Sequence, residues 1–503
     1  MTRLYKSDPS VGDSGKESLQ VVDVDVLELR VPCRTFRIRY KLAEPGQFSL
    51  TTEFLLRLLR LTEEIPEELI GKFFEFSPDE TRFVVDFVEA SGHAEREAGR
   101  VELTENGHAL FESEEEPVLF EVHPRHERFD FDLLAWAPTE PRKQLSAFEF
   151  RLPELPLPNT TDVGRGSEYV FKAFPRYFQE FRAKRGGNRF EKQTLYTIDD
   201  VEPEQRYSTL LPVTVSVRID NPGVAETSLV EWRTGPELED RGAIVQSCAA
   251  VVKEIRRASS ESIEAGLEIF SKCVPEQVAR FIKGTHFDLG AYFKIASRQA
   301  GDLRVDRPTV RTVGSIWTDA NKSRFALALK YAVARTAQTP KMVFWVRPDV
   351  YHWGMTTRVQ EILLAIRGQF RREPDSNPAG LNTVLVGDDR TPHIFKDAFD
   401  AVIRADSKYL PGVLEALLVP GHLAYIAVHV PIGEADGFPI PLGVLSFDLA
   451  VVARVTKLLK AVLSDPMARI AYVGFPSENV LADAVSAMEF KTEVEVAPAE
   501  KNV

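Results

Sequence analysis

SPDETRFVVDFVEASG, Ser77–Gly92, decides how the N-terminal region of this chain is read. Ser77 as N-cap, Pro78 at the first helical position and Glu80 at the third make a capping box, with proline where a helix tolerates it best. Gly92 supplies the stop. Upstream, IPEELIGKFFEF (Ile65–Phe76) has Pro66 near a helix start and apolar Leu69, Ile70, Phe73 and Phe74, which predicts a short helix. Before that, SLTTEFLLRLLRLT (Ser49–Thr62) places Phe54, Leu55, Leu58, Leu59 and Leu61 at amphipathic spacing, with Thr51 or Thr52 as N-cap and Glu53 in the first turn. Downstream, HAEREAGRVELTENGHALF (His93–Phe111) reads as strand, glycine turn, strand and helix.

Helix, short helix, helix and a hairpin ending in Leu103-Thr104-x-x-Gly107 resemble the winged helix-turn-helix superfamily, in particular the arrangement of MarR-like proteins, over about an eighth of the chain. The resemblance implies DNA binding, with Ser77–Ser91 as the recognition helix. Such a helix needs cations or amides toward the groove and positive charge toward the phosphates. Phe48–Glu112 carries six Arg/Lys against fifteen Asp/Glu, and Arg82 is the only basic residue of the third helix. The charge therefore favours a docking surface for protein partners over a DNA reader.

The whole chain is acidic, with 62 Lys+Arg against 75 Asp+Glu and a net charge of −13, so it has no global attraction to nucleic acid or anionic membrane. At 503 residues it is too long for one core and is expected to form several domains. Its 44% apolar and 27% charged residues are those of a folded chain. Three separated cysteines, Cys33, Cys248 and Cys273, suit neither a disulfide framework nor a zinc knuckle. With no signal-like start and no long apolar run, the expected location is cytoplasmic, without membrane contact.

Outward from the opening segment the expected organisation is a loose tail (1–18), two strands and the winged helix (19–117), a short β segment (118–151), a proline-rich linker (152–166), an α+β domain (167–305), an α/β domain (306–488) and a tail (489–503). LQVVDVDVLELRVPCRTFRIRY (Leu19–Tyr40) reads as the two strands, and SAFEFRL (Ser146–Leu152) as another. After about Val310, strands such as KMVFWV, NTVLVG and HLAYIAVHV alternate with helices such as FDLAVVARVTKLLKAVL. That rhythm predicts an α/β domain with a largely parallel sheet, within an α/β and α+β multidomain chain.

Candidate chemistry lies in two places. Arg165–Lys192 holds eight Arg/Lys against three Glu among interleaved aromatics, a pattern suited to single-stranded nucleic acid, DNA or RNA; Lys172, Arg176, Tyr177, Arg182, Lys184, Arg185 and Arg189 are its contact candidates. The competing reading is an amphipathic helix with its aromatics in the core and its cations in solvent. In the α/β region, ligands bind at the carboxyl ends of strands. Three polar groups follow expected strands there: Arg347-Pro348-Asp349 with His352, Gly387-Asp388-Asp389-Arg390, and His429. Asp388 and Asp389 have the chemistry to hold a divalent ion, and His422 or His429 to act as acid or base, although Gly-Asp-Asp-Arg-Thr-Pro also reads as a turn and cap. GHLAYIAVHV and IPLGVLSFDLAVVARVTKLL together faintly resemble the second half of a phospholipase D-like nuclease domain, but Ala424 stands where that family has the lysine of its His-x-Lys motif.

The expected function is a non-catalytic subunit of a prokaryotic multi-protein system acting on nucleic acid, such as antiviral defence, with protein partners on the winged helix and no cofactor or bound metal. The alternatives are a metal-dependent hydrolase or nuclease using Asp388, Asp389 and a histidine, and a transcription regulator.

Overall fold

The computed structural model describes residues 20–46, 49–111, 117, 119–139, 143–157, 164–186, 194–229, 241–255, 260–284, 286–298, 303–336, 338–370, 380–405, 410–433 and 437–489. The chain divides into two compact units, one of Met1–Pro32, Arg142–Leu157 and Ser208–Val503, the other of Cys33–Pro141 and Pro158–Tyr207. The units interleave along the sequence because two long strands, one of them β1 (Val21–Gly46), carry residues of both. Leu19–Tyr40 was expected to hold two strands. It holds part of one, since Pro32 lies in β1 without ending it.

In the smaller unit, α1 (Leu50–Thr62), β2 (Glu64–Pro66), α2 (Glu67–Phe74), α3 (Pro78–Ala90), β3 (Ala94–Glu97), β4 (Arg100–Leu103) and α4 (Glu105–Ala109) follow in order, and the strands pair as β2-β4-β3. The capping box of α3 is formed: Glu80 N–H donates to Ser77 Oγ at 3.4 Å, and Ser77 N–H to Glu80 Oε2 at 2.8 Å. Gly92, at φ +76°, takes the left-handed position after the helix. The N-cap of α1 is Ser49 rather than a threonine, because its hydroxyl reaches Thr52 N–H at 3.1 Å. Leu55, Leu56, Leu59, Ile70, Val85, Val88, Val101 and Leu103 make the core of this module.

β5 (Leu119–Asp132) pairs antiparallel with β1. Ser146–Leu152 begins as helix, α5 (Ala147–Phe150), not strand; a second capping box, Ser146 with Glu149, sets the turn. Back in the smaller unit, α6 (Gly166–Gly186) precedes β6 (Thr194–Arg218), the second strand shared by both units. The four-stranded sheet runs β5-β1-β6-β7, with β7 at Ala225–Ser228.

The larger unit continues with α7 (Gly242–Lys253), α8 (Ser260–Cys273), α9 (Pro275–Val278), a two-residue pair β8 (Ile282–Lys283) and β9 (His286–Phe287), and α10 (Leu289–Ser297). β10 (Thr309–Val313), α11 (Asp319–Arg335), β11 (Met342–Val346), α12 (Arg358–Gln369), β12 (Asn382–Gly387), β13 (Ala401–Arg404), β14 (Leu414–Val419), β15 (Leu423–Val430), β16 (Ile440–Ser446), α13 (Leu449–Leu463), β17 (Arg469–Val473) and α14 (Val480–Ala487) complete it. Eight of these strands form one sheet, ordered β10-β16-β15-β14-β11-β12-β13-β17.

That sheet is mixed, which corrects the expectation of a largely parallel one. Only β11-β12 and β12-β13 are parallel; β14-β15, β15-β16 and β16-β10 form an antiparallel meander, and both β14-β11 and β13-β17 are antiparallel. One contributor is a tight connection at Pro420-Gly421, with Gly421 at φ +72°, which makes β14 and β15 a hairpin. Alternation sends Phe344, Ile426 and Val444 to a core with α8, α10, α13 and α14, and Trp345, Tyr425 and Leu445 to a core with α11, α12 and α5. Every residue of β11, β14, β15 and β16 is buried, as expected for strands covered on both faces.

Candidate functional site

The outward faces of α1 and α3 carry large apolar side chains. Leu50 (69% exposed), Phe54 and Leu61 (83%) line α1, while Phe83 (73%) and Phe87 (55%) lie one turn apart on α3. Leu69 and Phe73 are exposed on α2. The positions are dictated by the core: Thr81, Val85 and Val88 point α3 inward, which leaves 83 and 87 on the far side. Asp79, Glu80, Asp86 and Glu89 of the same helix are exposed, as is its one basic residue, Arg82. Arg96 of β3, by contrast, is tied to Asp86 at 2.6 Å and approaches Glu67 at 3.5 Å.

α6 buries its aromatics. Val170, Phe174, Tyr177, Phe178 and Phe181 pack with Phe36, Ile38, Tyr40, Phe129 and Phe131, and the Phe174 ring meets Phe129 edge-on at 4.8 Å. Tyr177 is 5% exposed, so its ring is a core residue and not a stacking platform. Lys172 and Arg176 are exposed. The side chains of Arg182, Lys184 and Arg185, and Arg189 as a whole, lie outside the described residues.

At the carboxyl ends of the parallel strands, Asp388 and Asp389 are already paired with arginines. Asp388 Oδ1 accepts Arg390 N–H at 3.0 Å and its Oδ2 accepts Arg390 Nε–H at 2.9 Å, the turn-capping geometry that Gly-Asp-Asp-Arg suggested. Arg390 Nη2 also reaches Asp349 Oδ2 at 2.6 Å. Asp389 bonds Arg469, which holds its carboxyl below the ordinary aspartate range, and lies 3.7 Å from Arg404. Among the described residues no group of three or more His, Cys, Asp and Glu side chains is arranged to hold a metal ion.

The two histidine candidates are not brought to these aspartates. His422 is buried in the β14–β15 turn, at the end of the sheet where β11 begins; it bonds the Pro420 carbonyl through Nδ1 at 2.8 Å and meets Phe370 edge-on. Burial holds its pKa below the ordinary histidine value. His429 pairs instead with Glu415, Nε2 to Oε2 at 2.7 Å, and Trp345 Nε1–H donates to the other Glu415 oxygen at 2.9 Å. A parallel arrangement involves Asp25, which accepts Trp317 Nε1–H at 2.8 Å and lies 3.2 Å from His352 Nε2. Trp317, Trp345 and Trp353 pack together with centroids 5.6–6.2 Å apart and link the two. Sequence reasoning passed over Glu415 and Asp25; a carboxylate inside LEALLV or VVDVDV, among apolar strand residues, was the available signal.

No family model matches the chain, and comparison with curated proteins finds no match.

Proposed function

We propose that residues 49–111 form a winged helix that docks a protein segment instead of reading DNA, and that the chain is a subunit of an assembly acting on nucleic acid. The helix–strand–helix–helix–hairpin order and the β2-β4-β3 sheet support the winged-helix reading. One observation carries the docking role: Phe83 and Phe87 stand exposed on α3 among Asp79, Glu80, Asp86 and Glu89. On a helix that reads a major groove these positions would face bases and phosphates, where apolar rings gain little and carboxylates are repelled. A protein segment with an apolar stripe and flanking Lys or Arg complements both features. The link to nucleic acid rests on Lys172 and Arg176, two cations exposed among the described side chains of α6.

A photo-crosslinking residue placed at position 87 in cells tests this. Crosslinks to a Lys/Arg-rich segment of another protein, lost in Phe83→Ser, are the expected result. Crosslinks to nucleic acid, to a second copy of this chain, or to nothing would overturn it.

A further inference from the structure

We propose that the larger unit binds a phosphate-type oxyanion at the carboxyl ends of β11, β12 and β13, between Arg347 and Arg404. The strand pairing sets the place. Val346 is opposite Val386, and Gly387 is opposite Arg404, so the residues leaving β11, β12 and β13 lie side by side. Alternation sends Arg347, Gly387 and Arg404 to the same face as Trp345, Leu385 and Val402. Two strand spacings separate the backbones of the two arginines, roughly 10 Å, a gap that two long guanidinium side chains can span around a tetrahedral anion; at present Arg347 Nη2 donates to the Val350 carbonyl at 3.3 Å.

Gly387 leaves the middle of this row without a side chain. Thr391 fills the space, its Oγ1 lying 2.2 Å from where a Cβ at 387 would be. Its hydroxyl therefore sits between the two arginines.

The polar groups here have cations and hydroxyls to spare. Arg347 is 3% exposed at its side chain, yet its Nε and Nη1 have no hydrogen-bond partner among the described residues. Its nearest carboxylate oxygen, on Asp388, stands 4.0 Å away, beyond hydrogen-bond length. Thr391 Oγ1 and Arg404 Nε are likewise buried without a partner among the described residues. The carboxylates in the neighbourhood hydrogen-bond other arginines, Asp388 and Asp349 with Arg390 and Asp389 with Arg469, and Arg404 Nη1 has only the looser approach to Asp389 at 3.7 Å. Buried donors left unmade are costly, and a desolvated guanidinium most of all. Two forked cations and one hydroxyl match the oxygens of a phosphate monoester better than a planar carboxylate, which one guanidinium satisfies by itself. The ends of parallel strands are also where open α/β sheets take ligands.

Thermal unfolding of the full chain with inorganic phosphate, against sodium chloride at matched ionic strength, tests the site; AMP is run in parallel. A phosphate-dependent rise in Tm is expected, since a ligand held only by the native state stabilises it. AMP should act at least as well if the natural ligand is a nucleotide, and less well if the site takes the free ion. Arg404→Gln, at a half-buried position, and Thr391→Val, which keeps the side-chain shape, should each weaken binding by about tenfold. No phosphate effect beyond chloride, or unchanged affinity in Arg404→Gln and Thr391→Val, would overturn the assignment. The readout is independent of any partner of α3, so failure here leaves the docking proposal standing.

Discussion

Glu415 and His429 meet across the β14–β15 hairpin, Oε2 to Nε2 at 2.7 Å, with side chains 0% and 1% exposed. They are diagonal neighbours on one face, since Glu415 pairs in register with Ala427. Trp345 Nε1 takes the second carboxylate oxygen, so Glu415 satisfies two donors in a region with no solvent. Removing one partner of a buried pair strands the other. Glu415→Ala is expected to cost about 3–5 kcal/mol, read from the midpoint of urea unfolding. Combining Glu415→Leu with His429→Leu should recover part of that loss, because neither member of the pair is then left buried without the other. A single Glu415→Ala variant as stable as the parent would mean the pair contributes nothing to the fold.

The second expectation separates surface from core on one helix. Phe83 and Phe87 face outward, whereas Val85 between them is 0% exposed. Phe83→Ser combined with Phe87→Ser should leave stability within about 0.5 kcal/mol, while Val85→Ala should cost roughly 2 kcal/mol. A large destabilisation by the double phenylalanine change would show that these rings are packed in the native chain, which removes the basis for a docking face.

The third concerns the start of α3. The Ser77 backbone N–H, and then its hydroxyl, hold the Glu80 carboxyl below the ordinary glutamate range. A carboxyl whose folded pKa is depressed contributes stability above its unfolded pKa and loses it as pH falls through the folded one. Ser77→Ala should cost about 1 kcal/mol at neutral pH. The stability difference between the parent and Glu80→Gln should shrink as the solution is acidified from the ordinary glutamate value to about pH 3. A difference that stays constant over that range would rule out the ionised carboxylate as the capping group.

What was legible in the sequence follows from where the information lies. The α1–α4 module could be read because caps, helix faces and the hairpin turn are local signals, and Ser77, Glu80 and Gly92 occupy the positions their chemistry demands. The direction of the larger sheet could not, because β13, β14 and β16 are short apolar runs without amphipathic period, and a fully buried strand gives no alternation to count. The strands that are legible are those next to helices, and their order alone is that of repeated crossovers. For the strand ends, Asp388 and Asp389 drew attention by composition, whereas Thr391 and Arg404 gain their interest only from the pairing of β12 with β13. Glu415 and His429 lie fourteen residues apart on opposite sides of a turn, and only the register brings them together.

The last expectation concerns α6, where one helix carries both a core ring and solvent-facing cations. Tyr177 is buried with Phe174 and Phe178, with the Arg176 guanidinium 5.5 Å from its ring centre. Tyr177→Ala should therefore cost about 3–5 kcal/mol through the cavity it leaves. Lys172→Glu with Arg176→Glu should cost clearly less than that, since neither side chain is in the core. If α6 meets a single-stranded nucleic acid through phosphates, that double change should weaken binding and reduce the slope of log affinity against log salt by about 0.7 for each lost contact. Fluorescence anisotropy with labelled oligonucleotides over a salt series reads both quantities. The opposite pattern, in which Tyr177→Ala loses binding at unchanged stability and the charge reversals have no effect, would return the ring to a stacking role and sink the placement of α6 as a packed helix with a cationic outer face.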